Sequence, residues 1–312
     1  MKVNKLALIG SEYHSKKISE VINSSGIDAD VIKLGSTLKS IFKVLRNYDA
    51  FYVTYTSTTF RFICAFLIPA FIMRKRVYFQ WIGSDVLDLE SSKYRTIRAF
   101  LSDNLAINLC ECDWIKDELE ELGVNAKVGP YITFSSIFES LNVKSSTVSS
   151  NNKKLVLTTY APEGREDLYS LNDIISLAKI RKDIILNVVA HTGKGFPKLS
   201  NVNYHGWLQK DELDKLYLES DVFIRMTKHD GLSYSVLESM AIGMQVVFSY
   251  DYPFTFTAKN TSDLESIVSE FQTRKENEED IVNHQGIEYI KQEFIDSRVS
   301  ESNLLALLRY EF

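Results

Sequence analysis

Cysteine is scarce in this sequence: there are three, Cys64, Cys110 and Cys112. An odd count without a framework of spacings argues against a secreted disulfide scaffold. Cys110 and Cys112 flank Glu111, a spacing too tight for the usual zinc pair, and no neighbouring histidine completes a site. The Cys110–Cys112 segment is therefore read as a strand end. His191, His205 and His229 are scattered and give no metal spacing; they are read as satisfied core or loop histidines, and no metal is expected. Long apolar runs are missing too. The run within Lys2–Gly10 is too short for the core of a signal peptide and reads as a buried first strand. The stretch Phe62–Met73 falls short of the roughly 20 apolar residues needed to span a bilayer. Nor is there an excess of positive charge. With 36 basic and 41 acidic side chains the net charge is −5, which gives no support to a nucleic-acid partner.

What is present is an ordinary globular composition, 45% hydrophobic and 25% charged, over 312 residues. That length suggests two domains, each able to bury its own core. Short apolar segments alternate with helical patterns. Strands are expected at Leu6–Ile9, Ala29–Leu34, Ala50–Val53, Arg76–Trp81 and Leu105–Leu109, with helices at Leu38–Leu45 and Asp113–Leu122. Ser15 is a candidate helix cap and Gly123 a candidate helix stop. A small, polar, aperiodic stretch around Ser145–Asn152 then reads as a linker. The alternation resumes with strands at Leu155–Leu157, Ile184–Ala190, Val202–Tyr204, Asp221–Ile224 and Gln245–Phe248. Helices are expected at Leu171–Lys179, Asp211–Leu218 and Ser235–Ile242, and beyond Thr261. This predicts an α/β protein with two Rossmann-like lobes: residues 1–140, a linker at 141–153, and residues 154–312. Parallel sheets bind ligands at the carboxyl ends of their strands, so a cleft between the lobes is expected.

The segment from Ser220 to Val247 carries the most chemistry. A buried strand ends near Arg225, and a loop with Gly231 leads into a helix starting near Ser233 or Ser235. Free amides at such a helix start attract anions, and a glycine lets backbone approach a ligand closely. Asp230 and Glu238 bracket the turn with seven residues between them. Carboxylates so placed can accept hydrogen bonds from vicinal hydroxyls, as the acid of dinucleotide folds does from a ribose. A phosphate site flanked by hydroxyl acceptors describes a sugar nucleotide.

Here the sequence resembles the retaining glycosyltransferases of the GT-B fold, in the family 4 group. Asp230, seven residues, and then Glu238-Ser239-Met240-Ala241-Ile242-Gly243 match that family's acid pair. Asp230 stands where most members have Glu. Tyr204-His205-Gly206-Trp207, Glu212-Leu213 and Ser220-Asp221-Val222 resemble the approach to the motif. Trp81-Ile82-Gly83-Ser84-Asp85-Val86 and Cys112–Leu119 resemble segments of the N-terminal lobe. The glycine-rich loop after the first strand is reduced to Gly10.

The resemblance implies that Asp230 holds hydroxyls of the donor sugar, that Gly231, Leu232, Ser233 and Tyr234 offer backbone amides, and that Glu238 binds the ribose. A cation against the diphosphate is implied on the first loop of the C-terminal lobe. Arg165 is the candidate, with Lys228 or Lys194 as substitutes. Asp85 is assigned to orienting or deprotonating the acceptor, against the plainer reading of a helix cap. The implied activity is metal-independent transfer, with retention, from a nucleotide sugar, a UDP-sugar favoured, to a glycan or lipid-linked acceptor in surface polysaccharide or glycoconjugate synthesis. No cofactor is expected beyond the nucleotide-sugar co-substrate. The last helix is expected to pack back on the N-terminal lobe. Two competing readings are a sugar-nucleotide epimerase or hydrolase on the same fold, and a non-catalytic partner subunit.

Two features stand apart. Asp28-Ala29-Asp30 has the Asp-x-Asp pattern of metal-dependent transferases of another fold, and is read as a turn before the second strand. Phe60–Arg76 is apolar and flanked by cations. It reads as a buried helix with its dipole complemented, or as a helix resting on an anionic membrane surface. The expected location is cytoplasmic, with the second of these readings adding peripheral attachment at the inner face of the membrane.

Overall fold

The structure, a computed structural model, describes residues 3–24, 26–35, 37–54, 56–129 and 154–296. The expected linker and the last helix lie outside the described residues. The chain divides into two compact units. Among the described residues, the first holds those up to Gly129 together with Asp230–Leu232, and the second holds the remainder.

The first unit is built on six strands, β1 (Lys5–Ile9), β2 (Asp28–Ile32), β3 (Ala50–Thr54), β4 (Arg76–Trp81), β5 (Ile107–Cys110) and β6 (Ala126–Val128). They lie side by side in the order β2-β1-β3-β4-β5-β6, all parallel. Parallel strands need helical crossovers that cover both faces of the sheet, so the inner strands β1, β3, β4 and β5 are buried along nearly their whole length rather than alternating. Leu6, Leu8, Tyr52 and Tyr78 accordingly form a core with Ile18 and Ile22 from the helix Glu12–Ser24. Two of the buried strand aromatics pair their polar tips: Tyr52 donates its hydroxyl to Gln80 at 2.8 Å, and Trp81 its indole N–H to Asn108 at 2.9 Å.

Three expectations change in this unit. The helix Glu12–Ser24 begins three residues before Ser15, which is fully buried inside it rather than capping it. Asp28 and Asp30 lie within β2 and not in a turn. Lys5 on the neighbouring strand reaches both carboxylates, at 3.6 and 3.4 Å, and Tyr48 donates to Asp30. The strand expected at Leu105 starts at Ile107, because the helix Arg95–Leu105 occupies that position first. Gly10, at φ +136°, is pressed against β3. A Cβ there would lie 1.7 Å from the carbonyl oxygen of Thr54, so the site requires glycine on two counts.

The second unit repeats the plan with β7 (Leu155–Tyr160), β8 (Ile184–Val189), β9 (Val202–Gly206), β10 (Val222–Arg225), β11 (Gln245–Phe248) and β12 (Phe256–Thr257). Their order is β12-β11-β10-β7-β8-β9, again all parallel. The core joins Leu155, Leu157, Val222 and Ile224 of the sheet to Leu171, Ile174 and Ile175 of the helix Leu171–Ile180 and to Leu264, Val268 and Phe271 of the helix Thr261–Glu276. Helix starts follow their sequence signals. Gln209 and Glu212 make a capping box for Lys210–Glu219, and Asn260 caps Thr261–Glu276. Gly243 ends the helix Tyr234–Ile242, as expected. Among the described residues no helix is long and apolar enough to cross a membrane.

Candidate functional site

In the second sheet, the chain leaves β7 toward β8 and β9, then returns to β10 on the other side of β7. The carboxyl ends of β7 and β10 form the switch point, where open α/β sheets bind ligands. Two residues end those strands: Tyr160 on β7 and Arg225 on β10. Arg225 is buried, and its guanidinium lies 4.5 Å from the ring centroid of Tyr169 and 5.6 Å from that of Tyr160, within cation–π range. Tyr160 also meets Trp207, which follows β9 and is 72% exposed. Arg225 was missed as a site residue in the sequence. Its only signal is that a cation closes an otherwise apolar strand, Val222-Phe223-Ile224-Arg225.

The loop after Arg225 leads into the helix Tyr234–Ile242. Ser233 is its N-cap in backbone conformation, yet its side chain makes no capping bond; the hydroxyls of Ser233 and Ser235 bond to each other at 2.9 Å. The first turn itself contains no acid, so its positive end is not offset from within the turn. Glu238 stands about one turn inside this helix and is half-buried. The phenol of Tyr217 is raised mainly by its own burial, and the Glu238 charge raises it further.

The candidate cations differ in placement. Arg165 is exposed in a turn, its amide donating to the carbonyl of Pro162 at 3.1 Å. Lys228 is exposed and paired with Asp167 at 2.6 Å. Lys194 is exposed. Of these positions and Arg225, only Arg225 combines burial with a place at the strand ends. His191 is buried, bonded to Glu166 at 3.1 Å and accepting from the Gly193 amide at 2.9 Å, which is the satisfied core histidine expected.

Asp230, Gly231 and Leu232 belong with the first unit. Trp114 donates its indole N–H to the carbonyl oxygen of Asp230 at 2.9 Å. Gly231 is required by the close approach of protein backbone. A Cβ there would lie 2.1 Å from the carbonyl oxygen of Ile82 and 3.6 Å from the Glu111 carboxylate.

Asp85 lies beside this segment's neighbours. Its carboxylate accepts from the amides of Ile82, Gly83 and Val86 at 3.0 Å each, so the plainer reading of a helix-start carboxylate is realised. Burial nevertheless outweighs those bonds and pushes its pKa up to about 6. Glu111 follows β5 and is 9% exposed. Burial raises its pKa well above the usual range, and the charges of Asp85 and Asp230 raise it further. Three carboxyl groups thus share one electrostatic neighbourhood at the carboxyl ends of β4 and β5. A carboxyl pushed up to about 6, as Asp85 is, can exchange protons near neutral pH, which is what acid–base chemistry needs. Glu111 was passed over in the sequence as part of a strand end.

No protein-family model matches this sequence, and no curated protein does. Solved structures do match, over nearly the whole chain. Anabaena Alr3699/HepE, solved in complex with UDP-glucose, is similar with a TM-score of 0.67 at 13% identity, over 97% of this chain and 99% of that one. Sucrose-phosphate synthase from Thermosynechococcus elongatus is similar with a TM-score of 0.69 at 10% identity, over 98% of both chains. The fold is of the GT-B type. A third similar structure is UDP-GlcNAc 2-epimerase from Neisseria meningitidis bound to UDP-GlcNAc, with a TM-score of 0.53 at 14% identity, over 99% of both chains. At these identities the likeness speaks to the fold, and function is argued from the residues.

Proposed function

We propose that this chain transfers a sugar, with retention, from a nucleotide-sugar donor, a UDP-sugar favoured, to a glycan or lipid-linked acceptor in surface polysaccharide or glycoconjugate synthesis. The observation that carries the reading is a helix start at Ser233 with no acid in its first turn, with Glu238 one turn inside the helix and Asp230 just before it in sequence. The similarity in fold to a protein solved with UDP-glucose supports the donor class.

In this reading the amides of Ser233 and Tyr234 receive the diphosphate and Glu238 accepts from the ribose hydroxyls. Asp230 binds hydroxyls of the donor sugar, and Gly231 and Leu232 line that segment. As the bond to the anomeric carbon breaks, negative charge grows on the leaving diphosphate. Helix-start amides and Arg225 stabilise it, with Arg165, Lys228 or Lys194 as outer cations. The acceptor hydroxyl attacks from the face the diphosphate leaves. Asp85, with Glu111 beside it, orients that hydroxyl and takes its proton. No metal is assigned a step.

The test is thermal stability with UDP, GDP, ADP and CMP, for wild type and Glu238→Ala. A nucleotide at about 100 times its Kd adds roughly 2.7 kcal/mol. Stabilisation by one nucleotide, lost in Glu238→Ala, is the expected result. Absence of any stabilisation of the wild type would overturn the donor site. A second reading, a sugar-nucleotide epimerase, is favoured by the likeness to UDP-GlcNAc 2-epimerase. It predicts consumption of UDP-GlcNAc with no acceptor present.

A further inference from the structure

Between Lys33 and Arg76 the sequence has eight lysines and arginines against a single acid, Asp49, in a chain that is net −5 overall. The structure sorts these residues by face. In the helix Leu38–Asn47, Ile41 and Leu45 turn inward and are buried. Leu38, Lys39, Phe42, Lys43 and Arg46 are exposed, and their spacing of three to four residues puts them on one outer face. The helical segment Phe60–Ile72, α-helical at both ends with a π-helical turn Ile63–Leu67, does the same. Ile63, Phe66, Leu67 and Ala70 are buried, while Arg61, Phe71, Ile72 and the following Arg74 are exposed. The two segments pack against each other. Both cross between strands in the same direction along the sheet, β2 to β3 and β3 to β4, so right-handed crossovers place them on one face of it.

The outer face is not the purely polar one usual for a surface helix. Leu38 is 61% exposed, Phe71 57% and Ile72 73%, set among five exposed cations on segments that contain no acid. We propose that this outer face docks on the surface of an anionic lipid bilayer, with Leu38, Phe42, Phe71 and Ile72 entering the headgroup region and Lys39, Lys43, Arg46, Arg61 and Arg74 meeting lipid phosphates. Charge selects this occupant over the others. A second copy of the chain would bring the same cations face to face. A nucleic acid would match the cations and leave the four large apolar side chains in water. Of the two readings the sequence left open for Phe60–Arg76, the buried one applies to the inner face and the membrane one to the outer. The proposal does not depend on the sugar-transfer reading.

The experiment is co-sedimentation of the full chain with vesicles of phosphatidylcholine alone and of phosphatidylcholine mixed with phosphatidylglycerol, at low and high salt. Binding to the anionic vesicles only, weakened by salt, is expected. The variants Phe71→Ser with Ile72→Ser, and Lys39→Glu with Lys43→Glu, should each bind at least about tenfold more weakly. Their melting temperatures should match wild type, because all four side chains are exposed. No binding at low salt, equal binding to neutral vesicles, or unchanged binding by both variants would overturn the proposal. So would self-association through this face, seen as a concentration-dependent mass that either variant abolishes.

Discussion

Asp221 and Lys275, 54 residues apart, form an ion pair in which both side chains are almost fully buried, 6% and 8% exposed. The same carboxylate oxygen accepts from the Val156 amide at 2.8 Å. One side chain therefore pins the start of β10, the start of β7 and the C-terminal turn of the helix Thr261–Glu276 together. Asp221 belongs to the Ser220-Asp221-Val222 stretch that resembles the glycosyltransferase pattern, and here its partners make it a framework residue.

Removing one member leaves an uncompensated buried charge, which costs about 3 to 5 kcal/mol. Lys275→Met is expected to lower stability by that amount in urea denaturation. The double variant Asp221→Asn with Lys275→Met should lose less than the sum of the two single losses. Additive losses would mean that the pair is not coupled.

Asp85 sets a pH dependence whose sign can be worked out. Its folded pKa of about 6 lies above the ordinary value of 3.8. Between those values the folded state holds a proton that the unfolded state has released, so stability falls as pH rises through this window and then stays lower. The shift corresponds to about 2 to 3 kcal/mol. Glu111, raised by burial and by the charges of Asp85 and Asp230, acts in the same direction. Denaturation of wild type against Asp85→Asn should show the variant gaining relative to wild type from about pH 4 to about pH 6, with a plateau above. A pH-independent difference would remove the raised pKa. Glu111→Gln should likewise gain relative to wild type as pH rises above the ordinary carboxylate range.

Gly231→Ala tests the close approach of that loop to Ile82. A methyl group placed 2.1 Å from a carbonyl oxygen cannot stay there, and forcing it should cost about 1 to 3 kcal/mol. Movement of the Asp230–Leu232 segment would also disturb the Trp114 indole bond to Asp230. A change in tryptophan fluorescence together with a lowered melting temperature is expected. An unchanged spectrum and melting temperature would show that the segment does not hold this position.

Much of this protein was determined by sequence alone. Continuous apolar runs such as Ala50–Val53 and Val246–Phe248 specify buried parallel strands, because only a strand covered on both faces needs every side chain apolar. Gly243 closes its helix for local backbone reasons that tertiary context does not change. The acid pair Asp230 and Glu238 was legible as a spacing. The tertiary structure decided the rest. Nothing local distinguishes Glu111 from a solvated strand-end acid; enclosure beside Asp85 and Asp230 raises its pKa. Arg225 becomes a candidate phosphate cation only because β7 and β10 are neighbours, which places Tyr160 and Tyr169 against it. The demand for glycine at 231 comes from the Ile82 carbonyl, a group about 150 residues away in sequence. Local pattern fixes elements because their hydrogen bonds are local or periodic, whereas proton affinity and close packing depend on which distant groups share the same few ångströms.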